Sequence, residues 1–225
     1  MRDKKQLWVP FAKKPFTTPG RGLYRNGPNR DLPEGMVIHY AANRIQKDPY
    51  EEGLAVARYG KTQGHSYFVI CRDGTIIQTT PLNQWGSHAG KSKWTEKGER
   101  KRYLIGVSQY YVGVENCNPG ILKEVDKEHC ETWYGVIIHK SKLVHTKQSN
   151  RMPGGWWLPL TAAQKEANIK LILWLAYNDA NFCLKNTVAH SDVSPDRKVD
   201  PGGTLWTTAH INPVSVEELI QYIEG

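Results

Sequence analysis

The sequence predicts an α/β fold, and two observations carry that expectation. Apolar, β-branched runs of strand length recur at Met36–Tyr40, Ser66–Ile70, Thr75–Thr80 and Tyr110–Glu115. Two segments with helical spacing open on capping residues, at Asp48 and at Thr161. A chain of 225 residues can bury one sizeable core. Its organisation reads as an irregular basic arm over residues 1–35, then one domain over 36–225 with an elaboration at about 116–160.

The arm is rich in Pro, Gly, Lys and Arg without periodicity, and Gly27-Pro28-Asn29-Arg30 is a turn signal within it. Met36–Tyr40 then reads as the first core strand. Asp48-Pro49 joins an N-cap to a proline at the first helical position, which predicts a short helix to Gly60 with Leu54, Ala55 and Ala57 facing inward. Ser66–Ile70 and Thr75–Thr80 bracket an Asp-Gly pair, so they form a hairpin of the central sheet. Gln84–Arg102 reads as a long polar loop holding Trp85, His88 and Trp94, and long ordered loops in compact domains are usually functional. Tyr110–Glu115 supplies another core strand. Within the elaboration, Gly135–His139 and Lys142–His145 read as strands. Thr161-Ala162-Ala163-Gln164 is a capping box opening the longest helix, through Asn178, with Ala163, Ala167, Leu171 and Leu175 on one stripe. Ser215–Ile223 repeats that logic and predicts a terminal helix.

Composition excludes several classes. No stretch approaches the roughly 18 consecutive apolar residues of a membrane helix, so no membrane insertion is expected. The start of the chain lacks the apolar core of about 7–15 residues that marks a secretory signal, so synthesis in the cytoplasm without a signal peptide is expected. The four cysteines show no Cys-x-x-Cys pairing and read as reduced, mostly buried thiols. A net charge of +8 invites a nucleic-acid reading, yet the basic clusters in residues 1–35 and Lys91–Arg102 fall in no recognised nucleic-acid-binding signature. They read instead as a solvated surface, or as one attracted to an acidic envelope polymer. No nucleic-acid partner is expected, and the chain is read as a monomer.

The chemistry concentrates in His190-Ser191-Asp192-Val193-Ser194-Pro195-Asp196-Arg197-Lys198-Val199-Asp200-Pro201-Gly202, which holds an imidazole, a cation and a carboxylate within eleven residues. Neutral imidazole and carboxylate are both good Zn²⁺ ligands, and a catalytic site takes three protein ligands and leaves a position open. His190 and Asp200 are two candidates. His39, at the end of Met36–Tyr40, is the best-placed third. Asp192 and Asp196 read as loop-ordering carboxylates, and His65, His129, His139, His145 and His210 lack a matching context.

With these residues in order, the chain resembles the type 2 N-acetylmuramoyl-L-alanine amidases, a family that includes peptidoglycan recognition proteins and phage lysozyme-type amidases. The resemblance spans roughly Pro28 to Gly203. It rests on Val37-Ile38-His39-Tyr40, on Gly64 to Ile70 with Arg72-Asp73-Gly74, on Gly86-Ser87-His88-Ala89-Gly90, on Val112-Gly113-Val114-Glu115, and on the His190 to Gly202 segment. It implies a central mixed sheet flanked by helices with a zinc site in a groove at the sheet edge. One Zn²⁺ would sit on His39, His190 and Asp200, with Glu115 as general acid and base, Lys198 stabilising the oxyanion, and His88 contacting the substrate peptide. The tyrosine that assists in the phage lysozyme branch aligns with Ser66, and Tyr67 would point to the opposite face of that strand. The chain therefore resembles the glutamate-assisted branch. The implied reaction is hydrolysis of the amide between the lactyl group of N-acetylmuramic acid and the L-alanine of the stem peptide. The implied partner is peptidoglycan or a muropeptide, and the implied role is a lytic, endolysin-like enzyme acting on the cell wall. The alternatives are a cytoplasmic recycling amidase and a recognition module that binds peptidoglycan without cutting it.

Overall fold

The computed structural model describes residues 7–25, 32–65, 67–97, 101–148, 153–179 and 181–204. The run Met36–Tyr40 forms strand β1, and helix α1 spans Pro49–Thr62. The Asp48 carboxylate caps α1 by accepting from the N–H groups of Tyr50 and Glu51. The hairpin follows as β2 (Phe68–Ile70) and β3 (Ile76–Gln78), and then β4 (Val112–Asn116). Five more strands fill the elaboration: β5 (Ile121–Glu124), β6 (His129–Glu131), β7 (Ile137–His139), β8 (Val144–Thr146) and β9 (Gly155–Trp157). Helix α2 (Ala162–Asn178), strand β10 (Thr187–Ala189) and the short helix α3 (His190–Val193) follow, and the expected loop Gln84–Arg102 instead carries two short strands, Gln84–Trp85 paired with Gly22–Leu23 and Lys93–Thr95 paired with Tyr103–Ile105.

The central sheet has the order β10-β1-β4-β2-β3, with only β3 antiparallel to its neighbour, so it is mixed as expected. Helices cover both faces. On one, Ala167, Leu171, Ile172 and Leu175 of α2 pack with Met36, Ile38, Phe68, Ile70 and Val114. On the other, Leu54, Val56 and Ala57 of α1 pack with Tyr67, Val69 and Ile77. The alternation along β2 sends successive side chains to these two cores, while on β1 Met36 and Ile38 enter the first and Val37 joins a third cluster with Ala89, Leu104, Val107, Tyr111 and Val188. The Leu7–Thr18 part of the arm runs along the outer edge of β3: Lys13 N–H donates to Ile76 O, Thr18 N–H to Thr79 O, and Val9 is buried.

Several elements differ from expectation. Ala55 is exposed, and Val56 takes its inward place on α1. On α2 the capping box between Thr161 and Gln164 is present, but Gln164 and Asn168 are buried beside the apolar stripe. They lie inside because the strand ends beneath α2 need donors. Gln164 Nε2 donates to Cys117 O at 2.9 Å, and Asn168 Nδ2 donates to Asn116 Oδ1 at 2.7 Å. Asn116 Nδ2 in turn donates to His39 O at 3.1 Å, tying α2 to the end of β1. We expect Gln164→Met to lower stability by about 1–3 kcal/mol, because a buried carbonyl loses its donor. Urea unfolding measures this, and an unchanged midpoint would assign the bond no net value.

The elaboration holds more than the two expected strands. Its sheet is antiparallel, in the order β7-β6-β5-β9-β8. Trp157 of β9 is fully buried, with Nε1 donating to Thr146 Oγ1 at 2.8 Å. Its ring lies against Gly202 and Gly203: a Cβ on Gly202 would stand 2.4 Å from it. All four cysteines are free, three of them buried. No helix among the described residues is long and apolar enough to cross a membrane. The expected helix at Ser215–Ile223 lies outside the described residues.

Candidate metal centre

His39 is opposite Glu115 in the parallel ladder of β1 and β4. Both side chains therefore leave the sheet on one face, at the carboxyl ends of its parallel strands, where open α/β sheets bind ligands. His190 follows directly on the edge strand β10, and the chain returns so that Ser191 N–H donates to Asp200 O at 2.9 Å. Three atoms converge there. His39 Nδ1, His190 Nδ1 and Asp200 Oδ2 are each 2.9 Å from the other two. All three residues are buried.

The hydrogen bonds behind these imidazoles assign their protons. His190 Nε2 lies 3.2 Å from Ala89 O, a carbonyl that can only accept, so Nε2 carries the hydrogen and Nδ1 presents a lone pair. His88 is fixed in the same way. Its Nε2 donates to Tyr111 O at 2.9 Å, so its Nδ1 is an acceptor, and His39 Nε2 donates to it at 3.1 Å. His39 Nδ1 is then also a lone pair. Burial first, and the His190 imidazole next, lower the His39 pKa to about 4 against the pull of Asp200, so the ring is neutral at pH 7.

With both rings neutral, two nitrogen lone pairs and a carboxylate oxygen face one point, an arrangement that a cation stabilises. Zn–N and Zn–O bonds of about 2.0–2.2 Å put tetrahedral ligand atoms about 3.3 Å apart, close to the spacing here. The donor set fits zinc. Among the described residues these three form the one group of His, Cys, Asp or Glu able to hold a metal ion.

The triad opens on a groove of about 830 Å³ that Glu115, Lys198, His88, His65, Tyr67, Arg44, Trp133 and Arg197 also line. Glu115 Oε2 is buried and has no hydrogen-bond partner among the described residues. Burial, and then the Asp200 charge, raise its pKa well above the usual carboxylate value, while Lys198 opposes the shift. The Lys198 ammonium makes no ion pair among the described residues, and its charge bears on His39, His65 and Glu115.

The residues singled out in the sequence therefore meet in one groove. His88 lies against the triad, with both ring nitrogens engaged by Tyr111 and His39. Tyr67 and His65, which the sequence reading set aside, also line the groove, as do Arg44 and Trp133. Tyr67 lies two residues before Val69, which is in register with Glu115, so it points into the groove. Its hydroxyl is 3.5 Å from Val56 O, turned toward α1. Ser66 lies outside the described residues.

A family model described as N-acetylmuramoyl-L-alanine amidase matches residues 28–203. Among solved structures, the fold is similar to that of the N-acetylmuramyl-L-alanine amidase AmiD from E. coli, solved with anhydro-N-acetylmuramic acid-L-Ala-D-γ-Glu-L-Lys. The TM-score is 0.50 at 22% identity, covering 88% of this chain and 60% of that one. It is also similar to AMPDH3 from Pseudomonas aeruginosa, with a TM-score of 0.51 at 18% identity over 81% of this chain and 60% of that one. The chain thus spans about 60% of the length of either protein. At these identities the likeness carries the fold. No curated protein sequence matches.

Proposed function

Because the chain belongs to the N-acetylmuramoyl-L-alanine amidase family, we propose that it hydrolyses the amide joining the lactyl group of N-acetylmuramic acid to L-alanine of the peptidoglycan stem peptide. One Zn²⁺ would be held by His39, His190 and Asp200. The observation that carries this reading is the convergence of three lone pairs beside the buried, unpartnered carboxylate oxygen of Glu115.

A bound Zn²⁺ supplies Lewis acidity, lowering the pKa of water and polarising the scissile carbonyl. Glu115 takes the proton of the attacking water and passes it to the departing nitrogen of L-alanine, which leaves as a neutral amine. Lys198 places positive charge where the tetrahedral oxyanion develops, so it stabilises the transition state more than the ground state. A pure recognition role is disfavoured by a complete ligand set.

The outer groove suits an acidic peptide. Arg44 lies over Trp133 and Tyr134, 5.4 and 5.8 Å from their ring centroids, and has no carboxylate partner among the described residues. Arg44→Ala is expected to raise KM up to about 5-fold, the value of one exposed ion pair, with kcat unchanged. Steady-state kinetics on a soluble muropeptide measure it, and a fall in kcat alone would contradict it.

Digestion of purified peptidoglycan with and without a chelator, followed by mass spectrometry, tests the function. Free stem peptides beginning with L-alanine, absent when the metal is removed, are expected. Cleaved glycan, or products indifferent to chelator, would overturn the reading. We assign the lytic role on the net charge of +8, which favours an acidic envelope. Faster turnover of soluble anhydromuropeptides than of intact wall would reassign the chain to recycling.

A further inference from the structure

We propose that the dipeptide His88–Ala89 is a common support that fixes the proton positions and the orientation of both metal-centre histidines, making His88 a positioning residue. The inference rests on the metal reading above. One residue of the pair serves each ligand: His88 Nδ1 accepts from His39 Nε2 at 3.1 Å, and Ala89 O accepts from His190 Nε2 at 3.2 Å.

The pair is itself held from behind. Ser108 Oγ accepts from the N–H groups of His88 and Ala89 at 3.3 and 2.9 Å. Tyr111 O accepts from His88 Nε2 at 2.9 Å, and Arg197 donates to Ala89 O at 2.8 Å. The floor is cleared for the ring by Gly113 in β4, where a Cβ would stand 2.6 Å from His88 Cγ. Moving the hydrogen of either ligand histidine to Nδ1 would set an imidazole lone pair against an acceptor, Ala89 O in one case and His88 Nδ1 in the other. The relay therefore disfavours the Nδ1–H tautomer of either neutral ring, leaving the lone pair on Nδ1. Affinity then depends on groups that do not touch the ion, as outer partners of metal-bound histidines generally show.

Zinc affinity, measured by chelator competition on the full chain, tests this. His88→Leu keeps bulk but offers no acceptor, and it should weaken binding about 10–100-fold. His88→Asn keeps an acceptor at the Nδ1 position and should stay close to the parent. Gly113→Ala, which displaces the ring, should follow His88→Leu. Zinc binding by His88→Leu at the parent's affinity would overturn the proposal, and so would equal losses in the Leu and Asn variants, which would reduce His88 to packing. A second measurement needs no variant. ¹⁵N-histidine NMR of the metal-free parent near neutral pH should show His39, His88 and His190 in the Nε2–H form, and an Nδ1–H tautomer at any of the three would overturn it. Neither readout depends on cleavage of peptidoglycan, so failure of the amidase reading would leave both results interpretable.

Discussion

Asp200→Asn is expected to abolish turnover and to weaken zinc binding by more than the ~10–100-fold that follows loss of an outer partner. The variant keeps the shape of the residue and removes the single negative charge from the three ligand atoms. His39 and His190 are neutral donors in the arrangement described, so the carboxylate alone offsets the charge of a buried cation. The fold should survive. The asparagine amide can donate to an imidazole lone pair, and the Ser191 bond to Asp200 uses only the main chain. Metal analysis of the purified variant, with its thermal melt, measures both halves, and stoichiometric zinc with full activity would refute the ligand assignment.

Glu115→Gln should retain zinc and lose about 10²–10⁴-fold in kcat, the usual contribution of general acid–base catalysis. Glutamine matches the carboxylate in size and cannot take a proton, so KM should change little. The pH profile gives a second signature. A general base acts only when ionised, so parent kcat should fall on the acidic side as Glu115 takes up a proton. That fall should be missing from the residual activity of the variant. Linkage sets the sign for stability. A folded-state pKa above the unfolded one means that native stability falls as pH rises through the folded value, so the metal-free variant should gain stability over the parent on the alkaline side. Parent rates in Glu115→Gln would leave this residue a structural role.

The cluster of His39, His190 and Asp200 was legible because its signals are short in range. His190 and Asp200 share one segment, and His39 ends an apolar run whose strand character is plain. Glu115 could be named from its strand, but the register that sets it beside His39 is a tertiary fact. The relay through His88 and Ala89 O was not legible, since hydrogen-bond partners from distant loops leave no periodicity. The same holds for Gln164 and Asn168, polar residues placed on the inward face of α2 by the needs of strand ends. Val56 rather than Ala55 is turned in because the inward stripe of α1 runs through Gly53, Leu54, Val56, Ala57 and Gly60, and its two glycines leave no apolar signal to mark it. The second sheet was half visible: its strands are three or four residues long, too short for alternation to separate them from loop.

That second sheet bears on how the chain could be re-engineered. Trp157 presses on Gly202 and Gly203 shortly after the proposed ligand Asp200, and Leu160 N–H donates to Thr204 O at 2.9 Å just beyond them. The carboxylate loop thus uses the inserted sheet as its rear wall. Residues 121–157 are accordingly no interchangeable cassette: a chimera that swaps them for a short connector would lose the backing of one ligand, and grafts between relatives would have to carry the Trp–Gly-Gly contact across intact.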